Sequence, residues 1–261
     1  TLEIPADYFR SLGYNIVPIK VRSPFSLKSA ELSAEEGLRV SLRMGDSAII
    51  VGEVRSKEAQ TLYEAMRIRA MANTVMGTIH AESPYGVYDR VVNDLGVPKT
   101  SFKATDIIVI VNPIREPSGL KRYRRVLRIT EVRKLWDNDP LRERGFVDLM
   151  VYDPDKDNLE PTLELINGDS DILKAVASRV KYLSKSWERI WNMVETIGLS
   201  KKLLVDIARK ENRRDILEAD FVSAYNEIFY QFVDKSIKEY NEIEKEFILD
   251  NLKKWIYQKL K

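Results

Sequence analysis

The chain has 261 residues, 44% hydrophobic and 31% charged, a balance that excludes a disordered polypeptide and allows more than one packed unit. It contains no cysteine and a single histidine, His80, so disulfides, thiolate metal sites and histidine-rich zinc sites are excluded. The 42 basic and 40 acidic residues leave a net charge of only +2, which gives no global sign of a nucleic-acid partner, and apolar runs such as Ile107 to Val111 are far too short to cross a bilayer.

Ser33-Ala34-Glu35-Glu36 reads as a capping box opening a helix that carries Leu38 and Leu42 and stops at Gly45. Ala48 to Val51 is a short β-favouring run bounded by Asp46 and Gly52, and reads as a buried strand. A second helix is predicted from near Ser56 to about Ala72, with Leu62, Ala65 and Met66 on one face, and Thr74 to Ile79 reads as the next strand. Ser83-Pro84 supplies an N-cap and a proline at the first helical position, and Gly96-Val97-Pro98 supplies the stop. Ile107 to Val111 is continuously aliphatic, the pattern of a parallel strand covered on both faces. This alternation over residues 47–112 predicts an α/β core with a mostly parallel sheet.

Beyond Asn112 the character changes. Pro113, Pro117, Ser118 and Gly119 mark a turn, Arg125 to Val132 and Phe146 to Tyr152 read as two strands, and Leu163 to Ile166 suggests a further short one. From Ser170 the signals are helical, and neither glycine nor proline occurs between Leu199 and Lys261. Phe221, Tyr225, Ile228 and Phe232, followed by Tyr240, Ile243, Phe247 and Leu252, form an apolar stripe best explained by helix packing. The expected organisation is a core over 1–135, a β-hairpin and linker over 136–168, and a helical unit over 169–261. Between Arg115 and Lys134, eight basic residues (Arg115, Lys121, Arg122, Arg124, Arg125, Arg128, Arg133 and Lys134) face only Glu116 and Glu131, a candidate docking or subunit surface.

Two residues stand out for chemistry. Glu53 follows a strand and a glycine, which puts a carboxylate at the carboxyl end of a parallel strand, where ligands bind in open α/β sheets. Alone, that pattern is equally a surface acid beginning a turn. His80, 27 positions later, ends the next predicted strand and would emerge at the same rim, so the two polar groups converge. Arg39 and Arg43 lie four apart on one helix face, placed either to reach a neighbouring subunit or to pair with acids such as Glu35.

Leu38 to Met44, Ile49-Ile50-Val51-Gly52-Glu53-Val54-Arg55-Ser56-Lys57-Glu58-Ala59 and Tyr63 to Arg67 resemble the secretion ATPase superfamily, the hexameric motors of type II and type IV secretion, type IV pili and the archaellum. Val75-Met76-Gly77-Thr78-Ile79-His80-Ala81 resembles its histidine box, and Gly86 to Pro98 resembles the archaeal branch in particular. The resemblance spans roughly residues 1–135 and implies a RecA-like P-loop core that uses ATP and magnesium. It implies that Glu53 is the Walker B glutamate, acting on the attacking water and the magnesium shell, and that His80 links the γ-phosphate position to the subunit arrangement. Arg55 and Arg67 match basic positions of the same motifs, with phosphate sensing and salt bridging both open; Arg39 and Arg43 are intersubunit candidates. The implied partners are further copies of the chain in a hexamer and a membrane platform protein, and the implied location is the cytoplasmic face of the cell membrane.

Two features depart from the family. No Gly-x-x-x-x-Gly-Lys-Ser/Thr occurs, and Thr1-Leu2-Glu3-Ile4-Pro5 resembles the end of the acidic box that follows that loop in the family, so the expectation is a C-terminal portion of a motor, inactive alone. Arg69 stands where the family usually has a small, glycine-containing turn. Two alternatives remain: a non-catalytic assembly or regulatory subunit, suggested by the missing phosphate loop, and a nucleic-acid-binding module built on Arg115 to Lys134, disfavoured against a solvated or intersubunit strand.

Overall fold

A computed structural model describes residues 4–21, 33–44, 48–68, 74–116 and 118–260. The expected helix stop at Gly45, the helix end near Ala72, the turn at Arg69 and residues 1–3 lie outside the described residues. The chain divides into two compact units, one built mainly from Ile16–Ile172 and the other from Asp7–Asn15 with Leu173–Lys261.

Short helix α1 (Ala6–Ser11) belongs largely to the second unit. The first unit continues with α2 (Ala34–Arg43), β1 (Ala48–Val51), α3 (Glu58–Ile68), β2 (Thr74–Gly77), α4 (Pro84–Asp89) running into a π-helical turn at Arg90–Asp94, and α5 (Lys99–Phe102). The capping box forms as the sequence predicts: Ser33 Oγ accepts from the Glu36 N–H at 3.2 Å while the Glu36 carboxylate accepts from the Ser33 N–H at 2.9 Å. Ser83 likewise accepts from the Gly86 N–H, with Pro84 opening α4. Strands β1 and β2 pair in parallel from Ala48↔Thr74 to Val51↔Gly77. Phe102 is wholly buried beside the rings of Tyr63, Tyr88, Trp136 and Phe146, whose centroids lie 5.2–6.5 Å away.

Strands β3 (Ile107–Arg115), β4 (Arg122–Val132), β5 (Phe146–Asp153) and β6 (Asn158–Pro161) form a separate antiparallel sheet in that order. The mostly parallel sheet expected over 47–112 is therefore corrected: its first two strands are parallel, but β3 pairs with β4 in a hairpin. The cause is connectivity, because residues 116–121 are too few for the crossover that a parallel pair needs. Ile108 and Ile110 are buried while Ile107, Val109 and Val111 are exposed, so the aliphatic run is an edge strand with one covered face. The boundary expected at residue 135 falls inside this sheet's connection from β4 to β5, and the unit runs on to Ile172. Leu163–Ile166, expected as a strand, is the short helix α6, which the Thr162 hydroxyl caps through the Leu165 N–H.

Helix α7 (Asp171–Ala177) starts where the chain leaves the first unit. The second unit packs α8 (Trp187–Lys210), α9 (Ala219–Tyr240) and α10 (Lys245–Lys259) around Leu204, Ile207, Tyr225, Phe229, Val233, Ile248, Leu252 and Ile256. With neither glycine nor proline after Leu199, α8 and α9 stop at asparagines: Asn212 after α8 and Asn241 after α9 both take the left-handed conformation that asparagine tolerates. The Tyr225 hydroxyl donates to the Ser200 carbonyl at 2.7 Å, and burial pushes its pKa up to about 12. From the predicted stripe, Tyr225, Ile243 and Leu252 are fully buried, while Tyr240 is exposed.

Phe102→Ala and Leu252→Ala should each cost about 3–4 kcal/mol, since each empties a fully buried site. Urea unfolding followed by hydrogen exchange should show protection falling in the first unit for Phe102→Ala and in the helical unit for Leu252→Ala.

Candidate functional site

The parallel pair carries its pairing beyond the strand ends. The Val54 N–H donates to the Thr78 carbonyl at 2.8 Å, and the Thr78 hydroxyl donates to the Gly52 carbonyl at 2.5 Å. These two bonds fasten the segment after β1 to the segment after β2, so residues 52–54 and 78–80 leave the sheet at one rim. Val54 is buried and lies over Gly77, where a Cβ would meet Val54 Cγ2 at 3.2 Å. Glycine at 77 thus permits the close approach of the two exit segments.

On this rim Glu53 and His80 meet. His80 Nε2 lies 3.2 Å from Glu53 Oε1, and the Arg55 guanidinium donates to Glu53 Oε2, so both carboxylate oxygens are engaged. Exposure separates the pair: the Glu53 side chain is 12% exposed and that of His80 is 84% exposed. The Arg55 hydrogen bond, reinforced by the charges of Arg55 and His80, holds the Glu53 pKa below the usual glutamate value. Glu53 is therefore an ionised carboxylate at neutral pH, able to accept a proton or orient a water, next to a cation and an imidazole able to meet an anionic oxygen.

A further acid holds this segment in place and lies outside the pattern that singles out Glu53. Glu58 is buried, and its carboxylate accepts from the N–H groups of Arg55 and Ser56 at 2.7 and 2.9 Å and from the Ser56 hydroxyl at 2.5 Å. Burial alone would raise its pKa, but these donors outweigh burial and keep it low. The sequence signal was Ser56-x-Glu58 directly before the apolar spacing of α3, an acid in the first helical turn that turns back on the loop carrying Glu53.

The other candidates lie elsewhere. Arg39 pairs with Glu35 one helical turn away at 2.8 Å, and Arg43 and Arg67 are exposed and make no ion pair among the described residues. The structure thus brings together Glu53, Arg55 and His80, and leaves Arg39, Arg43 and Arg67 apart from their contacts. Among the described residues no three histidine or acidic side chains converge on a possible metal position.

Residues 13–118 match the family described as Type II/IV secretion system protein, a span that includes β1, β2 and the Glu53–Arg55–His80 cluster. This part of the chain is similar to that family. Similarity extends further in one relative: the chain is 27% identical over 226 residues to Uncharacterized protein MJ1287 of Methanocaldococcus jannaschii, covering 86% of this chain and 71% of the relative. The match to an archaeal protein agrees with the resemblance carried by Gly86 to Pro98. Among the described residues, no helix is long and apolar enough to cross a membrane.

Replacing Arg55 by alanine should let the Glu53 pKa rise toward the ordinary glutamate value, because the first cause of its depression is removed. Since the folded-state pKa is the lowered one, the Arg55 contact stabilises the fold above about pH 4.5 and is lost as pH falls through the folded value. Carboxyl carbon NMR titration of the wild type and Arg55→Ala reads this directly.

Proposed function

We propose that this chain is part of an ATP-hydrolysing motor that drives protein secretion or the assembly of a type IV pilus or archaellum-like filament. The observation that carries the proposal is the Glu53–His80 contact at the shared rim of a parallel strand pair, inside the segment that matches the secretion family. In this reading ATP, with magnesium neutralising its phosphate charge, binds between subunits of a homo-hexamer at the cytoplasmic face of the membrane. Hydrolysis-driven rotation of the subunits acts on a membrane platform protein.

Glu53 orients the attacking water and takes up its proton. Its depressed pKa keeps it in the basic form, and its partial burial limits competing bulk water. The water can take an acceptor position that Arg55 and His80 leave open or the one that His80 holds, since the His80 ring is largely in solvent. His80 swinging from Glu53 toward the terminal phosphate would couple nucleotide occupancy to release of the base. Arg55 stays with the other oxygen and fixes the direction of the remaining lone pairs.

In the complete protein, Glu53→Gln keeps the side-chain shape and removes the basic oxygen, so ATP binding should persist while turnover falls by roughly 100-fold or more. Unchanged turnover refutes the role given to Glu53. Binding of a fluorescent ATP analogue that is absent from the complete wild-type protein would favour the non-catalytic assembly subunit instead.

A further inference from the structure

The eight basic residues between Arg115 and Lys134 are not equivalent once folded. Arg125 makes two hydrogen bonds to the Asp157 carboxylate at 2.7 and 2.8 Å, Arg128 bonds Asp148 at 2.6 Å, and Lys134 pairs with Asp106 at 2.9 Å. Arg133 lies among Glu131, Asp169 and Asp171 at 3.2, 2.7 and 2.7 Å. Each of these cations is neutralised within the sheet or beside it. Arg115, Lys121, Arg122 and Arg124 have no ion-pair partner among the described residues, and all four sit at the far end of the β3–β4 hairpin.

The register puts the three arginines on one face. Arg115 is directly opposite Arg122, and Pro113 is directly opposite Arg124, so Arg115, Arg122 and Arg124 project from the same side of the ribbon. Like charges directly across a ladder destabilise a hairpin, so nothing in the fold accounts for this placement. The turn between the strands is well formed: the Gly119 N–H donates to the Glu116 carbonyl at 2.8 Å and Gly119 takes a φ of 70°. It presents Leu120 with 88% of its surface in solvent, beside Lys121.

We propose that this hairpin tip docks the protein on an anionic lipid surface, the four cations meeting headgroup phosphates or carboxylates and Leu120 entering the boundary with the acyl chains. Charge complementarity selects an acidic surface, and the fully presented leucine amid uncompensated cations selects one with an apolar layer beneath its charge. Nucleic acid fits less well, because a single-strand surface needs aromatic faces among its cations. Tyr123 points to the opposite side of the ribbon, where its hydroxyl donates to Glu116 and its ring lies under the Arg125 guanidinium at 5.2 Å. Leu135, also fully exposed, has no such setting, since its loop carries Asp137 and Asp139. The proposal does not depend on ATP hydrolysis.

Co-sedimentation with vesicles of pure phosphatidylcholine, and of phosphatidylcholine with phosphatidylglycerol, tests it at low and physiological salt. The protein should bind only the anionic vesicles, more weakly as salt rises. Neutralising three cations with Arg115→Gln, Arg122→Gln and Arg124→Gln together should weaken binding about 100-fold at low salt, and Leu120→Ser alone should weaken it roughly fivefold with the salt dependence retained. The exposed triple Lys201→Gln, Lys253→Gln, Lys254→Gln removes the same charge elsewhere and should leave binding nearly intact. The arginine triple should melt no lower than wild type, since it relieves like-charge opposition. Absence of binding to anionic vesicles, equal losses in the two charge-matched triples, or displacement of the vesicles by single-stranded oligonucleotide at equal phosphate concentration overturns the proposal.

Discussion

The site depends on one constraint, the parallel pairing of two four-residue strands and the two hydrogen bonds that prolong it past their ends. Strands this short hold few ladder bonds, so the exit segments would be free to separate without Val54 N–H to Thr78 and Thr78 hydroxyl to Gly52. Those bonds decide that Glu53 and His80 share a rim instead of merely ending adjacent strands. They also explain the residue types around them. Threonine at 78 supplies a hydroxyl that alanine would lack, glycine at 77 lets Val54 approach, and Glu58 accepts from the Arg55 and Ser56 N–H groups with one oxygen and from the Ser56 hydroxyl with the other.

What was legible in the sequence was local or periodic. The Ser33 box, the Ser83-Pro84 start and the α9 stripe each rest on spacings within a single element, and each forms as read. The convergence of Glu53 and His80 was also readable, because strand polarity in a βαβ unit puts both carboxyl ends on one side. The partner of a strand was not. Five aliphatic residues in a row suit a doubly covered parallel strand and an edge strand alike, and only the six-residue connection after Arg115 decides between them. Leu163 to Ile166 failed for a related reason: four residues are too few to show a period, and the Thr162 cap is the deciding signal.

Charge was the least legible property, because its effect depends on what the fold places opposite. Glu131 looks like one acid in a basic run, yet it is fully buried, accepts from the Ser170 hydroxyl and the Asp171 N–H, and forms an ion pair with Arg133 at 3.2 Å. That network holds the first turn of α7 where the chain passes from one unit to the other. A buried acid so surrounded adds specificity more than net stability, since removing it would strand Arg133 and two donors. Arg115, Lys121, Arg122 and Arg124, seven to sixteen residues earlier in the sequence, have no such partner among the described residues. The contrast between compensated and uncompensated cations on one β-strand exists only after folding.

The same principle bears on the Glu53 cluster. A carboxylate with a guanidinium on one oxygen and an imidazole beside the other has two of its four acceptor positions taken. The two partners differ in how firmly they hold. Arg55 belongs to the same loop, two residues away, and that loop is pinned by Glu58, so its contact has little freedom to break. His80 lies on a different segment with most of its ring in solvent, and reaches the carboxylate through a single ring nitrogen. An approaching polyphosphate would offer His80 a stronger negative charge than Glu53 can, drawing the imidazole away and leaving Glu53 with one free oxygen at the moment the substrate arrives. The order of events then follows from relative charge and tether length, with no large movement of the strands required.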